Sequence, residues 1–217
     1  MSWTYDHEPE TARKRQQPLR RYSSSLPEQS LHLADLMESY LRKRHLSYVL
    51  SVQNLWYPSN TAGDSSPRIV MPATSRYAAN RFWQARAMDA NEKRYQSPHA
   101  PRGDALIVVW PFTKTIERAV VTEGPTDALA AAGTGPCLGI ALMGNTPSFE
   151  IIEHLSSWLR GHRVTLMADT DSVDSMARLM VTLLGMDHQM IDVRSAAPWK
   201  DLSDMPPTER IQTLYRR

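Results

Sequence analysis

The chain has 217 residues, 41% of them hydrophobic and 22% charged, a composition that suits a globular protein with one large core or two small ones; no apolar run approaches the ~20 residues that cross a bilayer, and the polar N-terminus lacks a signal-peptide pattern, so a cytoplasmic protein without membrane contact is expected. The net charge of +2 conceals two unlike halves: residues 1–103 hold 15 Lys/Arg against 9 Asp/Glu and residues 104–217 hold 10 against 14, a division that suits phosphates on the first half and metal ions on the second. A single cysteine, Cys137, excludes an intrachain disulfide and a multi-cysteine zinc centre, and its apolar neighbours mark it as a core thiol.

Residues 1–27 carry Arg13-Lys14-Arg15, Arg20-Arg21, a serine run and several prolines without apolar periodicity, the pattern of a basic, disordered arm able to grip nucleic acid. From Leu31 to about Leu46, apolar residues recur at helical spacing and Arg42-Lys43-Arg44 closes the segment where positive charge favours a helix C-terminus. Residues 52–110 alternate short apolar pieces with turn signals, from Trp56-Tyr57-Pro58 to Ala105–Trp110, and predict a small, mostly antiparallel β-rich unit. Together residues 28–115 form an α+β subdomain in this reading, and the aromatics Trp56, Tyr57, Trp83 and Tyr95 are core residues before they are base-stacking ones. From residue 116 the texture changes. Four apolar runs, Ala119–Thr122, Cys137–Met143, Val164–Ala168 and Gln189–Val193, alternate with helical stretches near 126–132, 148–160 and 174–185, which predicts an α/β, doubly wound parallel sheet over 116–217.

In such a sheet ligands bind beyond the carboxyl ends of the strands. Glu123 follows the first of these strands, Asp127 falls in the first turn of the next helix, and Asp169 and Asp171 follow the strand Val164–Ala168. Asp127 and Asp174 have a competing reading, in which each stabilises a helix N-terminus and does nothing more. For Glu123, Asp169 and Asp171 that explains too little, because carboxylates converging on one edge repel unless a cation balances them. Oxygen-only donors select Mg²⁺ or Mn²⁺ and no zinc.

Val120-Val121-Thr122-Glu123-Gly124-Pro125-Thr126-Asp127 resembles the first Toprim motif and Thr165–Asp171, ending in Asp-x-Asp, the second; Trp199-Lys200-Asp201-Leu202-Ser203-Asp204 is similar to the Lys-Asp segment that follows the next strand in bacterial and phage primases. Upstream, Arg68–Pro72, Trp83–Ala87 and Lys93–Pro98 resemble the N-terminal subdomain of phage and plasmid primases, so the likeness spans roughly residues 30–205. It implies a Toprim (Rossmann-like) sheet and a metal-dependent DNA primase that makes short primers on single-stranded DNA from nucleoside triphosphates. Asp169 and Asp171 would bridge the metal with help from Asp127 or Asp201, Glu123 would be general acid/base or ligand, and Arg86, Lys93, Arg94 and Lys200 would hold triphosphate or template phosphates. Three departures stand out. Asp174 occupies the place of a usual glycine, the single cysteine cannot supply a zinc module, and no helicase phosphate loop is present, so a separate helicase or zinc-module partner is expected. A Toprim nuclease and a non-catalytic single-stranded-DNA-binding factor are the competing readings.

Overall fold

The short apolar pieces of the first half are separated by Pro, Gly, Asn and Ser, so they can form only brief strands. The computed structural model describes residues 25–64, 66–76, 82–89, 93–144 and 146–216. A 3₁₀ turn (Leu31–Leu33) leads into α1 (Ala34–Lys43), which buries Met37 and Leu41, four residues apart on one face. The helix stops before Leu46: Arg44 is its C-cap and His45 takes a left-handed φ of 54°, after which Ser47 caps α2 (Tyr48–Gln53) by accepting the Leu50 amide. β1 (Tyr57–Ser59), β2 (Arg68–Pro72), β3 (Trp83–Ala87) and β4 (Tyr95–Gln96) then pair antiparallel in that order. Trp56 and Trp83 are buried, as core aromatics should be.

The basic arm expected over residues 1–27 lies outside the described residues as far as residue 24. Its last three residues are docked on the first sheet, where the Ser25 carbonyl accepts from Trp83 Nε1 at 3.3 Å and the Pro27 carbonyl from the Tyr57 hydroxyl at 2.9 Å.

The second sheet contains β5 (Ile107–Val109), β6 (Arg118–Thr122), β7 (Cys137–Ala141), β8 (Arg163–Ala168) and β9 (Ile191–Ser195), in the order β5-β7-β6-β8-β9. β7, β6, β8 and β9 are parallel, and β5 is an antiparallel edge strand on β7. Residues 105–110, read from sequence with the antiparallel unit, thus supply β5 to this sheet instead. The physical reason is burial: Leu106 and Val108 face one core and Ile107 and Val109 the other, and a run apolar on both faces needs a sheet covered on both sides. An isolated bridge between Thr74 and Leu106 joins the two sheets.

Period-2 alternation along the strands sorts side chains between two cores. Ala119, Val121, Leu138, Ile140 and Leu166 pack under α4 (Phe149–Leu159) and α5 (Val173–Leu184). Val120, Cys137, Ala141 and Met167 pack on the other face with α3 (Pro125–Ala132), α6 (Pro207–Tyr215), α1 and Trp56. The α+β unit is therefore built onto one face of the parallel sheet and shares its core. Cys137 is buried there, its Sγ 3.2 Å from the Tyr215 hydroxyl. No helix among the described residues is long and apolar enough to cross a membrane.

α3 lies directly on β7 because Gly139 has no side chain. A Cβ there would sit 2.0 Å from the Ala128 carbonyl oxygen, a backbone atom that cannot swing aside. Gly139→Ala is expected to cost about 3 kcal/mol, the upper end for overpacking. For a chain of this size that is a fall of about 10 °C in Tm, readable by differential scanning calorimetry.

Candidate active site

The parallel pairing of β6 and β7 continues past both strands: Leu142 donates to the Thr122 carbonyl and Met143 to the Glu123 carbonyl, each at 2.9 Å. Glu123 is thereby held at the carboxyl edge. Gly124 then caps α3, and its lack of a side chain makes room for the carboxylate that follows, since a Cβ on Gly124 would lie 2.6 Å from Asp127 Oδ2. Asp127 is 4% exposed, and its Oδ1 accepts the Ser203 amide at 2.7 Å from the turn beyond β9. In that turn Asp201 Oδ1 accepts the Ser203 hydroxyl at 2.8 Å and the Asp204 amide at 2.9 Å. Asp169 follows β8, and the next residue ties this loop to the turn, with Thr170 Oγ1 donating to the Lys200 carbonyl at 3.0 Å.

A basic wall faces this edge. The register of β3 on β4 sets Arg86 beside Tyr95, with the guanidinium 5.1 Å from the ring centre. Arg86 is 6% exposed; its Nε donates to the Tyr40 hydroxyl and its Nη1 to the Tyr95 hydroxyl and, at 3.1 Å, to Thr126 Oγ1 in the first turn of α3. Between wall and edge lies a cleft of about 280 Å³ lined by Gln84, Arg86, Arg94 and Tyr95 on one side and by Glu123, Gly124, Asp127, Met143, Gly144, Asp169, Lys200 and Asp201 on the other.

No family model matches the sequence, and no curated protein does. Solved structures do. The catalytic domain of DnaG primase bound to single-stranded DNA aligns with a TM-score of 0.60 at 16% identity, over 84% of this chain and 70% of that one. The E. coli primase catalytic core aligns with a TM-score of 0.60 at 16% identity, over 84% and 72%. A chain of the bacteriophage T7 assembly of lagging-strand DNA polymerase with primase domains aligns at 0.54 and 17%, over 80% and 87%. The fold is that of a Toprim-type primase catalytic core. Identities this low speak to the fold alone.

The primase-core fold gathers Arg86, Arg94, Glu123, Asp127, Asp169, Lys200 and Asp201 into the one cleft, although they are scattered over more than half the chain. Asp171 is exposed and Lys93, also exposed, offers its carbonyl to Arg68 at 2.9 Å; neither lines the cleft. Asp174 is exposed in the first turn of α5, where an acid favours the helix N-terminus. Five lining residues go unread in the sequence as site residues, one of them Gly124, which the sequence shows only as the neighbour of Glu123. Gln84 could have been found, because it shares a strand face with Arg86 at i, i+2, and Tyr95 adjoins Arg94. Met143 and Gly144, with φ of 55° and 146°, lie just past a strand end where Toprim loops converge.

The electrostatics of the Toprim edge are those of an under-neutralised acid cluster. Burial and then the charges of Glu123, Asp201 and Asp171 push Asp169 up to about 7, with Lys200 offsetting part of the rise. Burial and then Asp201 raise Asp127, against the opposing pull of the Ser203 amide. Glu123 Oε1 is buried with no hydrogen-bond partner among the described residues. A buried acceptor without a donor, beside carboxylates that repel, is the environment a divalent cation relieves, and an all-oxygen donor set fits a hard one. Among the described residues no three acid, histidine or cysteine side chains close around a point by themselves. Mg²⁺ is satisfied by one or two carboxylates with water and substrate phosphates completing its shell, so the residues present fit it.

Proposed function

We propose that this chain is a primase-like nucleotidyltransferase that synthesises short primers on single-stranded DNA in phage or plasmid replication. The observation that carries the reading is the single cleft with a basic β-strand wall on one side and the Toprim carboxylates on the other. In the reaction a 3′-hydroxyl attacks the α-phosphate of a nucleoside triphosphate; the new phosphodiester forms as the bond to pyrophosphate breaks. Mg²⁺ or Mn²⁺ would be held by Asp169 with Asp127 or Asp201, and by Asp171 reaching in from the loop outside the cleft, and would acidify the hydroxyl and neutralise the pyrophosphate. Glu123, whose Oε1 has no competing donor among the described residues, accepts the hydroxyl proton. Arg94 and Lys200 hold phosphates across the cleft mouth, with Lys93 beyond it, and Arg86 contributes through Nη2, its Nε and Nη1 being committed to Tyr40, Tyr95 and Thr126. In this reading the site lies in the cytoplasm and acts together with a replicative helicase or a zinc module.

The test is incubation of the protein with single-stranded DNA, labelled nucleotides and Mn²⁺. New short oligomers that depend on the template are the expected result. A shortened template without synthesis would instead assign the same carboxylates to a nuclease.

A further inference from the structure

The acidic turn after β9 is braced by two arginines, one from α6 and one from the far end of the chain. Arg210, in α6, is 3% exposed and donates Nε to the Leu202 carbonyl at 3.0 Å, Nη1 to the His45 carbonyl at 2.9 Å, and Nη2 to the Arg44 and Ser203 carbonyls at 3.0 and 2.8 Å. One buried guanidinium thus sews the end of α1 to the turn. Arg44 then reaches over the same turn: Nη2 donates to Ser203 Oγ at 2.8 Å and to Asp204 Oδ1 at 2.7 Å, and stands 3.9 Å from Asp201 Oδ1. Its Nε is buried with no hydrogen-bond partner among the described residues. An unmet buried donor is costly, so the side chain keeps this pose because its other bonds outweigh the penalty. Ser203 passes the constraint on, its amide to Asp127 and its hydroxyl to Asp201.

We propose that Arg44 is a positioning residue that, by holding Ser203 and Asp204, aims the Asp127 and Asp201 carboxylates into the cleft and so sets its affinity for a divalent cation. The inference deepens the metal-dependent reading of the cleft and rests on it. Two effects of Arg44 have opposite signs. As a mere neighbouring charge it would repel a cation, and its removal would tighten binding. As a positioning residue its removal loosens the ligands, and losing an outer-shell partner of this kind weakens metal binding by about 10- to 100-fold.

The experiment is titration of Mn²⁺ into the full chain and into Arg44→Met, followed by isothermal calorimetry, with thermal unfolding in EDTA as the check on folding. A Kd raised about tenfold or more is expected, with Arg44→Lys, which keeps the charge and can reach one acceptor, lying in between. Equal or tighter binding by Arg44→Met overturns the inference while leaving the metal site in place. Should Arg44→Met not fold, Ser203→Ala removes the hydroxyl link without changing any charge and must also weaken Mn²⁺ binding severalfold; unchanged affinity overturns the inference in the same way. A parent protein that takes up no Mn²⁺ at millimolar concentration overturns the metal-dependent reading, and the inference with it.

Discussion

Glu123→Gln is expected to reduce primer synthesis by about a hundredfold or more, the scale of a lost general acid/base, while affinity for single-stranded DNA stays equal or improves. The substitution keeps the volume at the end of β6 but removes the charge and the proton-accepting oxygen that stands buried without a partner among the described residues. Taking an acid from a phosphate-binding edge relieves repulsion, so weakened DNA binding would point to misfolding and not to chemistry. A second readout does not depend on activity. Glu123 is the strongest charge acting on Asp169 after burial itself, so its loss lets Asp169 ionise more easily. A carboxyl whose folded pKa stands above its unfolded value holds a proton that the unfolded chain releases. Its penalty is absent below the unfolded value, grows as pH rises, and is complete above the folded value of about 7. The metal-free parent should therefore lose stability between pH 5 and pH 8, and Glu123→Gln should lose less. Scanning calorimetry in EDTA at both pH values measures this. Parental synthesis rates, or an unchanged pH slope, would remove Glu123 from the role assigned to it.

Asp169→Asn should abolish synthesis by a different route, through the metal. Mn²⁺ at about 100 times its Kd stabilises the protein that binds it by about 2.7 kcal/mol. In a chain of this size that is a rise of about 5–10 °C in Tm. Binding must displace the proton that Asp169 holds up to about pH 7, so the rise should be small at pH 6 and full at pH 8. An amide is a poorer ligand for a hard cation than a carboxylate, so Asp169→Asn should lose most of the rise at every pH and keep its DNA affinity. If Asp169→Asn and Glu123→Gln both match the parent in synthesis and in metal-induced stabilisation, the carboxylates carry no chemistry, and single-stranded-DNA binding alone would be the function.

The strands, their order of appearance and the acids at their ends were legible in the residues, because each depends on local rules. Four apolar runs spaced by helical stretches dictate a parallel sheet, and a carboxylate one residue beyond such a run falls on its carboxyl edge wherever the rest of the chain goes. Glu123, Asp127 and Asp169 were therefore readable before any fold was known. What α1 does was not. Tyr40 recurs with the apolar residues of that helix and Arg44 is its C-cap, but nothing in the spacing tells which distant groups the two meet. One meets Arg86 and the other the turn at Ser203, 159 residues away. The strand Ile107–Val109 likewise reads as part of its neighbours in sequence until its two buried faces assign it to β7. Local periodicity decides which face of an element is apolar, but the element that covers that face is chosen by packing between distant segments. Only the tertiary structure could bring the basic wall to the carboxylates and set Arg44 behind them.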